Sequence, residues 1–443
     1  MVCGFRCLYD QEVEFVRLSA STLVAAFFSA AILAACGGVN NGLTSSTPLS
    51  LAPQRWEGSF VRRQPTAARY KVLHSFGGGT DGQSPAANLT VFKGSLYGTT
   101  YGGGGLGYGT LFRMSTSGVE RVLHSFNHTD GAGPVAALTT LSGTLYGSTA
   151  DGGSGNPKCG SVGCGIVFSA GSAGRVRVLY RFRSFRNGDH PQAGLTVFDD
   201  TLYGTTYYGG GGCGGTGCGT AFSLTTAGVH HVIHYFGRGF GHKHAPYNPV
   251  GTLTLLNDTF YGATLSGGAS DLGAIFVLSP AGKQHVLYSF SRGSGGSSPM
   301  AGVTALNGTL YGTTLEGGTG TGCAGTGGCG TVFGVTTNGE EHLVYSFNYS
   351  DGDGSFPEAS LTVLNGTLYG TTASGGVGCR SGGGCGTVFS LTTDGQETVL
   401  HSFMGGTDGA GPVAGLTALH GTLYGTTSAG GKDNEGTVFA LTP

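Results

Sequence analysis

An all-β fold, a seven-bladed propeller of four-stranded antiparallel blades, is what the sequence predicts, and three observations predict it. One unit recurs seven times along the chain. Each copy carries four strand-like segments. The first and last recognisable segments are complementary pieces of one copy.

The recurrence is plainest at a Leu/Phe-Tyr-Gly triplet, whose tyrosines are Tyr97, Tyr146, Tyr203, Tyr261, Tyr311, Tyr369 and Tyr424, 49 to 58 residues apart. A Gly-x-x-Phe unit follows each, ending at Phe112, Phe168, Phe222, Phe276, Phe333, Phe389 and Phe439. Segments of the type Val-Leu-His-Ser-Phe end at Phe76, Phe126, Phe182, Phe236, Phe290, Phe347 and Phe403. Each is followed by a proline and a Leu/Val-Thr pair, as in Pro85 with Leu89 and Pro412 with Leu416. Self-similarity at such a period is the signature of a repeat architecture.

Four strands fit each repeat. Strand A is the short Leu-Thr-Val-Phe type, B is Ser-Leu-Tyr-Gly-Thr-Thr, C is Gly-Thr-Leu-Phe-Arg-Met and D is Arg-Val-Leu-His-Ser-Phe. They are β-branched, aromatic and apolar, and bounded by Gly, Asn and Asp turns. Apolar residues on both faces of B and C suit sheets packed between neighbours, as propeller blades are. Phase argues for a closed ring. Tyr70–Phe76 is a strand D with no A, B or C before it, and Gly436–Leu441 is a strand C with no D after it. Pairing the N-terminal strand D with C-terminal strands A to C makes the seventh blade and removes two sheet edges.

Composition agrees. There are 89 glycines among 443 residues, but no Gly-X-Y period, which excludes collagen. The 25 Phe and 19 Tyr argue against disorder. A net charge of −2, with no basic cluster inside the repeats, argues against nucleic-acid binding.

Three domains follow: 1–35 a signal peptide, 36–66 a tether, 67–443 the propeller. Leu18 to Ala35 are uncharged and follow Arg17, and the run ends Leu33-Ala34-Ala35-Cys36. That reads as a secretory signal, and the Leu-Ala-Ala-Cys resembles a bacterial lipobox, with Cys36 as the lipidated residue of an exported, membrane-anchored lipoprotein facing the periplasm or cell exterior. Asp10, Glu12 and Glu14 are out of place in a signal's first region, so translation is expected to start near Val13 or Val16. Residues 37–66, rich in Ser, Thr, Asn and Pro, read as a flexible tether.

The repeats resemble the GloVer tandem repeat of exported bacterial proteins that carry one of several alternative anchors. The resemblance covers residues 70–443 and rests on Leu-Tyr-Gly-Thr-Thr, Gly-Thr-Val-Phe and Leu-x-Ser-Phe. With no sorting tail before Pro443, a lipid on Cys36 would be the anchor. The resemblance implies an extracytoplasmic propeller and no activity, so no catalytic residue is carried over. The strand order also resembles quinoprotein dehydrogenase propellers, but those carry a tryptophan near the end of each repeat. The single tryptophan here, Trp56, lies in the tether. No cofactor is expected.

Apart from Cys3, Cys7 and Cys36, the cysteines fall in four close pairs: Cys159/Cys164, Cys213/Cys218, Cys323/Cys329 and Cys379/Cys385. All lie between strands B and C, in the repeats with the longer loops. Cys-x4-Cys and Cys-x5-Cys lack the usual zinc spacing and come with no paired histidines. Disulfides are therefore expected, each tying a floppy, Gly-rich loop into a short ring for about 2 kcal/mol, and no metal.

Alternating strand direction puts the B–C and D–A loops on one face, with tight turns such as Asn307-Gly308 on the other. Binding sites favour loops on a rigid scaffold. Ser/Thr-Asp-Gly recurs in D–A loops at Asp81, Asp130, Asp351 and Asp408, with Asp189 in a similar place. Directed at a central channel, these aspartates would bind cations or sugar hydroxyls; the competing reading is turn chemistry alone. The loop Gly237–Tyr247 breaks the pattern with His242, Lys243, His244 and Tyr247, which suit metal or acid–base work or simply a solvated loop. Strand-D rings (His74, His124, His234, His401, with Tyr at other repeats) read as packing. The function expected is a surface binding or scaffold module for a glycan, protein or cation, monomeric, touching the membrane only through its lipid. The alternative is a hydrolase or lyase acting on extracellular polysaccharide through His242, His244 and the channel aspartates.

Overall fold

Seven four-stranded antiparallel sheets, with strand D of the last supplied by the opposite end of the chain, make the ring that the repeats predict. The computed structural model describes residues 68–153, 159, 161–183, 186–237, 244–291, 293–323, 327–349, 352–379 and 384–443. The chain divides into two units, Met1–Leu49 and Ser50–Pro443. The first, and with it the signal sequence and Cys36, lies outside the described residues, as does the tether to residue 66.

Blade one shows the pattern: strand A at Thr90–Phe92, B at Ser95–Thr100, C at Thr110–Met114 and D at Glu120–Ser125. The A–B hairpins are two-residue turns with both residues at positive φ, such as Asn307 (+52°) and Gly308 (+82°). This is the twist that matches the strands it joins. Strand D carries a bulge in every blade; in blade one Val122 pairs with Phe112 and His124 with Leu111, leaving Leu123 unpaired.

The ring closes as predicted. Arg69–Ser75 pairs antiparallel with Thr437–Thr442, from Arg69 opposite Thr442 to Ser75 opposite Thr437. Tyr70 donates its hydroxyl to the Asp408 carbonyl at 2.6 Å and stacks on His401 at 3.6 Å.

Side chains repeat at every junction between blades. The phenylalanine ending strand D meets the strand-C phenylalanine of the next blade edge to face, from Phe76 with Phe112 at 5.3 Å round to Phe403 with Phe439 at 5.3 Å. At the inner edge of six junctions, a strand-A threonine donates to the next blade's backbone, from Thr90 to Leu138 O (2.7 Å) round to Thr417 to Leu89 O (2.5 Å). The Leu-Tyr-Gly-Thr-Thr motif now has a physical reading. A Cβ on Gly98 would come 2.5 Å from Phe112 and 2.8 Å from Leu89. The second threonine, Thr100, bonds Thr110 Oγ1 (2.8 Å) at the opening of strand C.

All four predicted disulfides are present, Cys159–Cys164, Cys213–Cys218, Cys323–Cys329 and Cys379–Cys385, with Cα–Cα distances of 5.2 to 5.5 Å. Their role needs one correction: they do more than tie exposed loops. The second cysteine of each pair, Cys164, Cys218, Cys329 and Cys385, is buried among the apolar side chains between blades. Directly before strand C, each of these residues accepts an N–H from the loop entering the next blade: His190 to Cys164 O, Asn248 to Cys218 O, Phe356 to Cys329 O and Gly411 to Cys385 O, at 2.8 to 3.0 Å. Their side chains pack inside the seam, so these cysteines anchor their loops to the core and offer no surface to a ligand. The disulfides assign the chain to an oxidising, extracytoplasmic compartment. Among the described residues, no helix is long and apolar enough to cross a membrane.

Candidate functional site

The D–A loop entering each blade pairs with that blade's B–C loop through a short bridge: Gln83 with Gly102, Ala132 with Asp151, Asp189 with Tyr208, Ser297 with Glu316 and Ala410 with Ala429. Both loop sets therefore share one face, as expected. In blade four the bridge has grown into the sheet, so strand A runs Tyr247–Leu256 and Tyr247 pairs with Ser266.

Asp81, Asp130 and Asp408 are tied to their own turns and to the outer strand. The three accept a backbone N–H at the start of their own loops, from Gly77 (2.8 Å), Asn127 (2.9 Å) and Met404 (2.9 Å). Each also faces a ring of strand D, the outermost strand: His74 (3.2 Å), His124 (3.0 Å) and His401 (3.2 Å). A carboxylate that closes its own turn is held at the rim, away from the inner strands. The strand-D histidines, read as packing, do pack on their phenylalanines and also meet these carboxylates.

Two positions shift register. The glycine after the turn aspartate fits between two threonine hydroxyls; a Cβ on Gly82 would lie 2.6 Å from Thr100 Oγ1, and Gly188 and Gly354 are equally confined. By that marker Asn187, not Asp189, occupies the turn position of the third loop, donating to Tyr180 Oη at 2.9 Å. Asp353 occupies it in the sixth, accepting from Tyr345 (2.8 Å) and Asn348 N (3.0 Å). Asp351, His242 and Lys243 lie outside the described residues; His244 is exposed.

Asp189 instead joins a group the sequence did not reveal. His190 Nδ1 donates to Asp189 Oδ1 at 2.6 Å, and His190 Nε2 to Asp151 Oδ1 at 3.1 Å. Burial works against charge on this imidazole, but the hydrogen bonds to Asp151 and Asp189 outweigh it and push His190 up to about 9. His190 precedes Pro191, where the chain turns in toward strand A. Tyr208 stands edge-on to His190 at 5.6 Å and to Tyr207 at 4.7 Å.

On one side the group continues to Tyr101. Its ring and the Asp151 carboxylate both crowd Gly133, where a Cβ would lie 2.9 Å from Tyr101 and 3.4 Å from Asp151. Burial, then the charge of Asp151, raises the Tyr101 phenol. On the other side, Asn248 donates to Tyr207 O at 3.0 Å. Burial, with Tyr208 and Tyr247 beside it, lifts the Tyr207 phenol to about 12. The result is an arc over blades one to four: Tyr101, Asp151, His190, Asp189, Tyr208, Tyr207 and Tyr247. The facing sector carries Ser297 and Glu316, Ser355 and Ser374, and Ala410 and Ala429 at the equivalent bridges, with no aromatic ring among them. Only Asp189 and Tyr247 were foreseen. The available signal was the residue after Leu-Tyr-Gly-Thr-Thr, tyrosine at 101 and 207 but Ala, Leu or Ser elsewhere. Cys159, Cys164 and Asp189 also lie close enough to share an ion, but their sulfurs are joined in a disulfide.

A family profile described as the Gloeobacter/Verrucomicrobia repeat matches residues 53–216, 155–326 and 320–443. The chain belongs to that repeat family. Each match of this Gloeobacter/Verrucomicrobia repeat spans more than one blade, so the profile and the blade are different units. No curated protein sequence matches the chain. Among solved structures it is similar to Kuenenia stuttgartiensis hydrazine synthase, at 13% identity and TM-score 0.51, over 81% of this chain and 96% of that one. It is also similar to a putative gluconolactonase (11%, TM-score 0.41, 85% and 93%) and to Penicillium chrysogenum α-L-arabinanase complexed with arabinobiose (12%, TM-score 0.42, 69% and 92%). At these identities the likeness is one of fold.

Proposed function

We propose that the protein is an exported binding module whose loop face holds a carbohydrate, with Cys36 carrying the lipid that keeps it at a membrane. The observation that carries this reading is the one-sided arc. Half-buried tyrosines offer apolar faces with a polar tip, suited to stacking on the C–H face of a sugar. Asp151 and Asp189, locked by His190, offer oriented oxygens for hydroxyl groups, and a few fixed polar groups among aromatic ones are the make-up of a small-ligand site.

Binding fits the arc better than catalysis. Both ring nitrogens of His190 are engaged with carboxylates. Its imidazole holds its proton near neutral pH, so it is no free base.

The test is a glycan array followed by calorimetry on the wild type, Tyr208→Ala and His190→Gln. Both variants should weaken binding of the captured oligosaccharide at least about tenfold, a loss of roughly 1.4 kcal/mol. Capture of no glycan by the wild type, or equal affinity in all three, would reject the reading. Mass analysis of the mature N-terminus tests the anchor separately: Cys36→Ser should lose the acyl mass.

A further inference from the structure

Away from the arc, one more cluster gathers metal-ligand chemistry, at the seam where the ring closes. His74 lies on the closing strand Arg69–Ser75, Asp81 in the loop after it, and Glu120 at the start of blade one's outer strand. Their ligand atoms, one nitrogen and two carboxylate oxygens, all lie within 4.8 Å of one another. His74 Nε2 is 3.2 Å from Asp81 Oδ2, near the roughly 3.4 Å edge of a tetrahedral site with bonds of about 2.1 Å.

Two further observations show how crowded with carboxylates this seam is. Glu120 Oε1 is buried without a hydrogen-bond partner of its own among the described residues, as is Glu341 Oε1 at the same position of blade five, where the preceding strand-D ring is Tyr288. On the other flank of the same loop, Glu435 lies against Gly78 and leaves its Oε2 buried in the same way. Buried carboxylate oxygens without a donor are costly, and a cation relieves that cost. Among the described residues this is the one seam that brings a histidine, an aspartate and a glutamate together; at two others the outer strand also starts with a glutamate, Glu341 or Glu397, but the preceding strand-D ring is Tyr288 or Tyr345. Beside His124 and Asp130, the next outer strand starts with Val176 in place of Glu120. Beside His401 and Asp408, Tyr70 fills the place.

We propose that His74, Asp81 and Glu120 bind one divalent transition-metal ion of the zinc class, which joins the N-terminal strand to blade one. Nitrogen and carboxylate oxygen donors in this number suit zinc, with water completing its four positions. The role is to hold the seam, because the ligands come from three elements: the N-terminal strand, the loop that leaves it and the outer strand of blade one.

The test uses the full-length chain with its disulfides intact, stripped with EDTA and titrated with Zn2+ alone. Elemental analysis should find one more ion per chain in the wild type than in Glu120→Gln. Zn2+ at a hundredfold excess over Kd should raise the wild-type Tm by about 3 °C. Glu120→Gln should lose that rise, whereas His124→Ala should keep it in full. Equal ion content and equal Tm shifts in the wild type and Glu120→Gln overturn the proposal. Should Glu120→Gln fail to fold, Asp81→Asn carries the same comparison, since an asparagine oxygen still accepts the Gly77 N–H.

Discussion

Glu358 follows Pro357 where the chain enters strand A of the sixth blade, and the six equivalent positions hold Ala86, Val135, Gln192, Val250, Met300 and Val413. Burial alone pushes its carboxyl up to about 7 from an ordinary value of 4.5. The folded chain therefore keeps a proton that the unfolded chain releases between those values. The contribution of this group is fully present below about pH 4.5 and is lost as pH rises through 7. Glu358→Gln should gain stability relative to wild type on going from pH 5 to pH 8, measured by urea denaturation; an unchanged difference rejects the assignment. The same scale shows where sequence reading stopped. Asp351 reads as a turn aspartate because it stands in Ser-Asp-Gly, and Asp189 because it occupies a similar place. Which residue truly holds the turn is decided by the glycine that slips between two threonine hydroxyls of another strand, and the loops differ in length, so counting cannot find it.

At the scale of the element, the motif glycine and the disulfides make separable predictions. Gly98→Ala places a methyl 2.5 Å from the Phe112 ring, and overpacking of this kind costs about 1–3 kcal/mol. Gly94→Ala, in a turn where a Cβ meets nothing within 4 Å, should cost about 1 kcal/mol or less through its positive φ alone. Urea titrations that rank the two in the opposite order would refute the packing account. Replacing Cys213 and Cys218 together by serine should cost about 2 kcal/mol in non-reducing buffer, and the difference from the wild type should vanish in dithiothreitol, which opens all four disulfides of the wild type and the remaining three of the variant. The strands and turns were legible because their signals are local. A two-residue turn between short apolar runs announces a hairpin, and both members of each cysteine pair sit within one loop. That Cys329 and Cys385 would be buried against the next blade was not legible, because side chains that cover them belong to a different repeat.

For the whole molecule, closure is the quantity to test. The same edge-to-face phenylalanine pair occupies all seven junctions, at 5.0 to 5.3 Å, so no junction is an end. Deleting residues 1–76 removes Phe76 from one pair and leaves Thr437–Thr442 as an unpaired edge. Unpaired edges recruit other strands. The truncated chain should elute as dimers or larger species and unfold at a lower temperature, read by light scattering and calorimetry. A stable monomer with the wild-type Tm would mean that the β pairing of Arg69–Ser75 contributes little.

The sequence by itself determined the number of blades, the four strands of each, the disulfide partners and the joining of the two chain ends. Each of these depends on patterns within one repeat or on the phase between repeats, and both are written along the chain. Only the tertiary structure decided which side chains of different repeats meet. Asp151 reaches His190, and His74 reaches Glu120, across the gap between neighbouring blades, where the loops converge and the outer strands run side by side. A repeat period brings equivalent backbone positions together; the few substitutions that turn such a meeting into a site become visible only when the neighbours are in place.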